Sequence, residues 1–82
     1  MRLARTPHFL RSYHKAPKEI QRTFEKQAAF LAGNLHHPSL HAKKYDESRG
    51  LWQARINDDW RLYFTVEGDA YILHEMRRHP KS

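Results

Sequence analysis

The chain has 82 residues and a formal net charge of +6 at pH 7, from 15 Lys and Arg against 9 Asp and Glu. This length permits one small core, so we expect a single domain over residues 1–82. The absence of cysteine excludes disulfides and thiolate metal sites. The positive charge suits a polyanionic partner, nucleic acid or an acidic protein, and suits a merely soluble basic protein equally well.

The hydropathy of the chain gives no sign of a membrane or of secretion. No apolar run is long enough to span a bilayer, and Met1–Arg5 lacks the apolar core of a signal peptide. We therefore expect a cytoplasmic protein with no membrane partner.

The amino-terminal half predicts one short strand followed by two helices. Residues 1–5 alternate weakly, as an edge strand would. Thr6 and Pro7 are typical of the cap and the first position of a helix, which should end before Pro17. Pro17 then begins a second helix that ends at residues 33–34. The apolar stripe of this helix consists of Ile20, Phe24, Ala28 and Leu31.

The carboxy-terminal half contains two alternating runs that predict a β-hairpin. Residues 51–56 and 60–66 alternate apolar and polar side chains on either side of an Asn/Asp-rich turn. Each run contributes one tryptophan to its apolar face, and we expect the helices to pack on this face. The opposite face then presents Arg55 and Arg61 together, beside a tyrosine.

The remaining segments complete a predicted α+β fold. Residues 35–39 are predicted as loop, residues 40–45 as a short strand or extended lead-in, and residues 46–50 as a polar turn. Residues 70–76 predict a third strong strand, followed by a basic tail that begins at Arg77. We expect an N-terminal helical hairpin packed on a small antiparallel sheet, in the order β-α-α-β-β-β.

Two kinds of catalytic site find little support in the sequence. His36, His37 and His41 cluster, but Pro38 breaks their spacing and no nearby carboxylate has ligand spacing. We therefore expect solvated loop histidines, no metal and no other cofactor. The serines lack the context of a nucleophile, and no glycine-rich phosphate loop is present.

The strongest constellation is a cationic face that also carries one histidine. Its members are Lys43, Lys44, Arg55, Arg61, Arg77, Arg78 and His79. Arginine suits pairs of phosphate oxygens, and histidine can give or take a proton. Cleavage of RNA through the 2′-hydroxyl needs a base, cations for the phosphorane, and an acid for the leaving 5′-oxygen. The alternative interpretation is a solvated charged face or a surface that binds another protein.

Several short motifs occur in the order and spacing of a known family. They are Pro17–Ile20, His37–Leu40 followed by Lys43-Lys44, Gly50–Ile56, Asp58–Phe64, and Tyr71–Met76 followed by Arg77-Arg78-His79. From Thr6 to His79 the chain resembles the RelE/ParE superfamily of type II toxin–antitoxin toxins, nearer the RelE-type mRNA interferases. The resemblance implies a barnase-like fold, a cognate antitoxin, and metal-independent cleavage of mRNA in the A site of the small ribosomal subunit.

The resemblance also implies roles for individual residues. Arg61 stands where RelE-type enzymes have a phosphate-contacting arginine, and Arg55 stands near a basic residue of the preceding strand. His79 matches the residue that acts near the leaving group, and Asp59 matches the functional aspartate of the YafQ-like branch. The residues expected to bind RNA are Lys43, Lys44, Arg77 and Arg78.

Two departures separate this chain from many members of the superfamily. Pro80–Ser82 follow His79 where a tyrosine is common, and Gln53 replaces a lysine of RelE. Two further functions therefore stay open. One is a ParE-like inhibitor of DNA gyrase, and the other is a member without catalysis that binds its antitoxin or nucleic acid.

Overall fold

A computed structural model describes residues 1–79, in which two helices pack on one face of a five-stranded sheet. The strands are β1 (Arg2–Arg5), β2 (Lys43–Asp46), β3 (Leu51–Arg55), β4 (Trp60–Glu67) and β5 (Ala70–Arg78). The helices are α1 (Pro7–Lys15) and α2 (Lys18–Gly33), and short 3₁₀ helices cover Pro38–Leu40 and Glu47–Arg49. The strand order is β1-β5-β4-β3-β2. The departure noted at Pro80–Ser82 lies outside the described residues.

Local signals begin and end both helices where the sequence predicts. The Thr6 hydroxyl accepts a hydrogen bond from the Phe9 backbone N–H at 3.0 Å and donates one to the Leu73 carbonyl at 2.9 Å. This cap therefore also joins the start of α1 to β5. Pro17 occupies the cap position of α2, which ends at Gly33. Neither helix within residues 1–79 is long and apolar enough to cross a membrane.

The core lies between the helices and the apolar face of the sheet. The helices contribute Phe9, Ile20, Phe24, Ala28 and Leu31, and the sheet contributes Ala54, Leu62, Phe64, Leu73 and Met76. Trp52 and Trp60 pack against this cluster and are half-buried. The predicted packing of the helical hairpin on the tryptophan face is therefore confirmed.

The structure differs from the predicted sheet in the direction of β1 and in the length of β5. Four strands are antiparallel as predicted, but β1 lies parallel to β5, because both helices intervene before the chain returns to the sheet. β5 continues through Arg77 and Arg78, so the expectation that a tail begins at Arg77 is wrong. Backbone pairing with β4 extends the strand beyond its apolar run, to Arg77 opposite Arg61 and Arg78 opposite Trp60.

A β-bulge in β5 shapes the face of the sheet that the helices leave uncovered. Tyr63 pairs with Glu75, but the next residue, Phe64, pairs with Leu73, so His74 is an extra residue in β5. The His74 side chain lies on the uncovered face, where it shares a cleft with Glu75. A bulge of this kind lets two consecutive side chains point to the same face.

Arg5 joins the edge strand β1 to both helices. Its guanidinium donates hydrogen bonds of 2.7 and 3.2 Å to the Glu25 carboxylate, which also accepts one of 2.8 Å from the Tyr13 hydroxyl. The hydrogen bonds from Arg5 lower the pKa of the Glu25 carboxyl, and partial burial opposes this effect without outweighing it. This network anchors β1, the edge strand that pairs in parallel with β5.

Candidate active site

The face of the sheet opposite the helices, called here the open face, carries three arginines in one row. Arg55 of β3 pairs with Arg61 of β4, and Arg61 pairs with Arg77 of β5. Side chains paired directly across antiparallel strands have Cβ atoms about 5 Å apart, and like charges there destabilise the sheet. We call these residues the arginine row. Folding alone does not favour such a row, whereas a bound polyanion would offset its repulsion.

Arg61 and Arg55 are held by the turn between β3 and β4. Arg61 Nη1 donates to the carbonyl oxygens of Asn57, at 2.6 Å, and Trp60, at 3.0 Å. Arg55 Nη2 forms a charged hydrogen bond with the Asp58 carboxylate. Within residues 1–79 the side-chain hydrogen bonds of Arg61 all use Nη1. The other donors of its guanidinium are therefore available to a ligand.

Arg77 is positioned by tyrosines and a carboxylate. Its guanidinium carbon lies 4.6 Å from the centroid of the Tyr63 ring. Nη1 is 3.5 Å from the Glu75 carboxylate, and Nη2 is 3.4 Å from the Tyr45 hydroxyl oxygen. Burial acts to lower the pKa of this guanidinium, but its interactions with Tyr63, Glu75 and Tyr45 outweigh burial and raise the pKa. Arg77 is therefore a permanent cation on the open face.

His79 and Asp59 lie together at the turn that holds Arg61. The His79 backbone N–H donates to the Asp59 carbonyl, just past the end of β5. His79 is exposed, whereas Asp59 is half-buried, with one carboxylate oxygen out of contact with solvent. The Asp59 backbone N–H in turn donates to Asn57 Oδ1 at 2.8 Å. Asp59 thus lies in the turn whose carbonyl groups bind Arg61, and His79 lies beside that turn.

The four residues expected to bind RNA lie on two different faces. Lys43 and Arg77 are on the open face, where each pairs with another open-face residue. Lys44 and Arg78 pair with the two tryptophans that pack toward the helices, so their side chains point to the helix side. The Lys44 ammonium lies 5.9 Å from the centroid of the ring of its tryptophan. The expectation of one cationic face is therefore wrong for Lys44 and Arg78.

The three loop histidines have different environments. Among residues 1–79, no three His, Asp or Glu side chains lie close enough together to hold a metal ion. His37 stacks on Phe30 with ring centroids 3.8 Å apart, and its Nδ1 accepts a hydrogen bond from the Ser39 backbone N–H at 3.2 Å. The expectation of a solvated side chain is therefore wrong for His37, which caps a 3₁₀ helix. His36 and His41 are exposed, as predicted.

Two hollows adjoin on the open face. The cationic hollow encloses about 410 Å³ and is lined by His41, Ala42, Lys43, Gln53, Arg55 and Arg61. The aromatic cleft encloses about 400 Å³, and its lining includes Tyr45, Arg49, Tyr63, His74, Glu75 and Arg77. Gln53 and Arg61 in the lining of the cationic hollow pair directly with Tyr63 and Arg77 in the lining of the aromatic cleft, so the two hollows adjoin.

The sequence predictions did not include the aromatic cleft. His74 and Glu75 are two consecutive polar residues inside an otherwise apolar strand, and this break in alternation was the available signal of a bulge. Tyr45 carries no comparable signal, because it follows two lysines in a segment whose strand character was itself open. The cleft therefore emerges only from the tertiary structure, in which paired strands β2 to β5 meet His8 of α1 and Arg49.

No family model and no curated protein matches this sequence. Among solved structures, a YoeB/ParE toxin from Agrobacterium tumefaciens has a TM-score of 0.80 at 15% identity, over 98% of this chain and 100% of that chain. RelE in the RelE–RelB complex of Pyrococcus horikoshii OT3 has a TM-score of 0.80 at 15% identity, over 99% and 97%. YafQ from E. coli has a TM-score of 0.78 at 17% identity, over 95% and 93%. At these identities the likeness establishes the fold, two helices on a mostly antiparallel sheet.

Proposed function

We propose that this protein, which has the fold of the RelE/ParE toxins, is the toxin of a type II toxin–antitoxin pair. Its activity is that of an endoribonuclease that cuts mRNA in the A site of the ribosome and so blocks translation. The observation that carries the proposal is the arginine row on the open face, with His79 at the turn that holds Arg61. Cleavage of a phosphodiester requires cations that stabilise the phosphorane and a side chain that transfers a proton, and the three arginines and His79 can supply both.

In the proposed reaction the scissile phosphate binds in the cationic hollow. The 2′-oxygen attacks phosphorus, the bond to the 5′-oxygen breaks, and the products are a 2′,3′-cyclic phosphate and a free 5′-hydroxyl. Negative charge on the phosphate oxygens increases on the way to the phosphorane. Arg55 and Arg61 therefore bind the transition state more strongly than the ground state, which is the condition for catalysis.

Two proton transfers complete the proposed reaction. His79 donates a proton to the leaving 5′-oxygen, because it is exposed beside the turn and an imidazole is the side chain best suited to acid–base catalysis. Asp59 is proposed to accept the proton of the 2′-hydroxyl, since its backbone carbonyl binds the His79 N–H and so keeps the two residues adjacent. All of these groups belong to the chain itself.

The proposed partner is a small acidic antitoxin encoded beside the toxin. The sequence has a net charge of +6, and apolar side chains such as Leu10 and Val66 are exposed at 38% and 43%. An acidic, amphipathic segment of the antitoxin would neutralise the positive charge and cover the exposed apolar side chains. Several of the similar structures are described as complexes of YoeB with YefM or of RelE with RelB.

Primer extension on mRNA in a reconstituted translation system tests the proposed activity. The protein should cut the translated message, and Arg61→Ala and His79→Ala should cut it slowly. Lys26→Ala, which removes an exposed cation of α2, should cut as the parent does. A parallel assay measures supercoiling by DNA gyrase, because the ParE-like alternative predicts inhibition there with the mRNA intact. A parent that affects neither the message nor gyrase would leave only the antitoxin-binding alternative.

A further inference from the structure

The aromatic cleft offers a flat ring held in a fixed position. Tyr45 is 49% exposed, and its ring meets the buried Tyr63 ring edge-on, with centroids 5.0 Å apart and planes at 65°. Tyr45 lines the cleft, and the contact with Tyr63 restrains a ring that is otherwise half-exposed. Aromatic rings presented in this way on a sheet are common stacking platforms for the bases of single-stranded nucleic acids.

Two cations border this platform and are themselves held in place. Arg49 Nε donates a hydrogen bond of 2.8 Å to the Asp46 carboxylate, so its side chain stays at the rim of the cleft. Arg77 lies over Tyr63 and belongs to both the arginine row and the cleft. A ligand in the cleft would therefore combine an aromatic ring with negative charge nearby. A nucleotide has this combination.

A carboxylate lines the same cleft because of the bulge in β5. The Glu75 carboxylate lies 3.6 Å from His8 Nε2 and 3.5 Å from Arg77 Nη1. A carboxylate has about four lone-pair directions, so these contacts leave acceptors for a ligand. Guanine alone among the four RNA bases presents two adjacent donors, N1–H and the 2-amino group, that fit a carboxylate. Adenine, cytosine and uracil each pair one donor with an acceptor on that edge.

The position of the cleft relative to the cationic hollow suits a single RNA strand. Because Arg61 in the lining of the cationic hollow pairs directly with Arg77 in the lining of the aromatic cleft, a phosphate in the first and a base in the second can belong to one short stretch of RNA. An antitoxin segment would need apolar surface to cover, but the described lining includes only one aliphatic side chain, Leu51. The polar and aromatic lining therefore favours a base over a peptide.

We infer that the aromatic cleft binds the base of the nucleotide next to the scissile phosphate, stacked on Tyr45, and that Glu75 selects guanine there. The inference rests on the proposed function for the identity of the ligand as RNA. It assigns the choice of sequence to the cleft and the chemistry to the arginine row and His79. The two assignments are separable by experiment, because a base bound in the cleft is detectable without any cleavage.

The test is a titration of the isotope-labelled protein with the four ribonucleoside 5′-monophosphates, followed by NMR chemical shifts. GMP should shift the backbone amides of Thr65, His74 and Glu75. It should bind about tenfold or more tightly than AMP, the discrimination expected of one bidentate base contact. Tyr45→Leu should weaken all four nucleotides by similar factors, about fivefold or more, through the loss of stacking. Glu75→Ala should bring the ratio of GMP to AMP affinity close to one, and Lys26→Ala should leave it as in the parent.

The possible outcomes separate this inference from the proposed activity. Equal affinity of the parent for the four nucleotides, or shifts confined to the arginine row, would overturn the inference even if mRNA is cut. An antitoxin peptide that shifts the cleft amides when no nucleotide does would also overturn it, in favour of a protein-binding cleft. A parent that binds GMP in the cleft but cuts no message would support the inference and refute the proposed cleavage.

Discussion

Replacement of Arg61 by alanine separates catalysis by the arginine row from stability. The Asn57 and Trp60 carbonyl oxygens lose a donor, at a cost of about 0.5–1.5 kcal/mol for each hydrogen bond. The change also removes the repulsion of Arg61 with Arg55 and Arg77, which returns about 0.2–1 kcal/mol for each pair. These effects oppose each other, so we expect the free energy of unfolding to fall by about 1 kcal/mol or less.

The effect of the same change on cleavage should be larger. Loss of a cation from a charged transition state costs about 2–4 kcal/mol, or about 30-fold to 1,000-fold in rate. Because the contact strengthens as charge develops on the phosphorane, the loss should be in kcat more than in KM. Arg61→Lys should lie between the parent and Arg61→Ala, since an ammonium keeps the charge and loses the planar fork.

The assay combines single-turnover cleavage of translated mRNA with urea unfolding of the same variants. Lys26→Ala is the matched control, because it removes one exposed positive charge at a site on α2. The reasoning is refuted if Arg61→Ala cleaves as fast as the parent. It is refuted equally if the variant loses several kcal/mol of stability, since Arg61 would then be a structural residue whose effect on rate reflects unfolding.

Three other predictions address His79, Glu25 and the antitoxin. His79→Ala and His79→Gln should both slow cleavage by about 10²–10⁴-fold with ribosome binding retained, and full activity of both would remove His79 from the mechanism. The lowered pKa of Glu25 stabilises the fold above its ordinary value of 4.5 and loses this effect as pH falls through the lowered pKa. Glu25→Gln should thus be less stable at pH 7 by about 1 kcal/mol or less and match the parent in acid. Equal stability at both pH values would contradict this. The antitoxin should raise the Tm and associate more slowly as salt increases, and no complex at micromolar concentration would argue against the partner.

The elements of the fold follow from signals a few residues long. The cap at Thr6, the stripe that includes Phe24, and the alternation of the hairpin each specify a local structure that tertiary packing then uses. The parallel pairing of β1 with β5 lies beyond such signals. Alternation shows which side chains share a face, but the neighbour of a strand depends on how the chain crosses the molecule.

The arginine row was predictable in part. Arg55 and Arg61 come together because a short turn sets the register of the hairpin, and this register is visible in the sequence. Charge alone assigns Lys44 and Arg78 to the open face, whereas their pairing places them on the helix side. Adjacent residues of a strand point to opposite faces, so a pair of consecutive cations contributes one charge to each side once the strand boundaries are known.

The bulge at His74 explains why the open face has both a cationic hollow and an aromatic cleft. Leu73 is in the core, so uninterrupted alternation would place Glu75 and Arg77 on the helix side and Met76 on the open face. The extra residue reverses this phase, so that Met76 is buried and Arg77 joins the arginine row opposite Arg61. The same residue brings Glu75 into the cleft. One inserted residue in β5 therefore supplies the third cation of the proposed catalytic row and the carboxylate of the proposed base site.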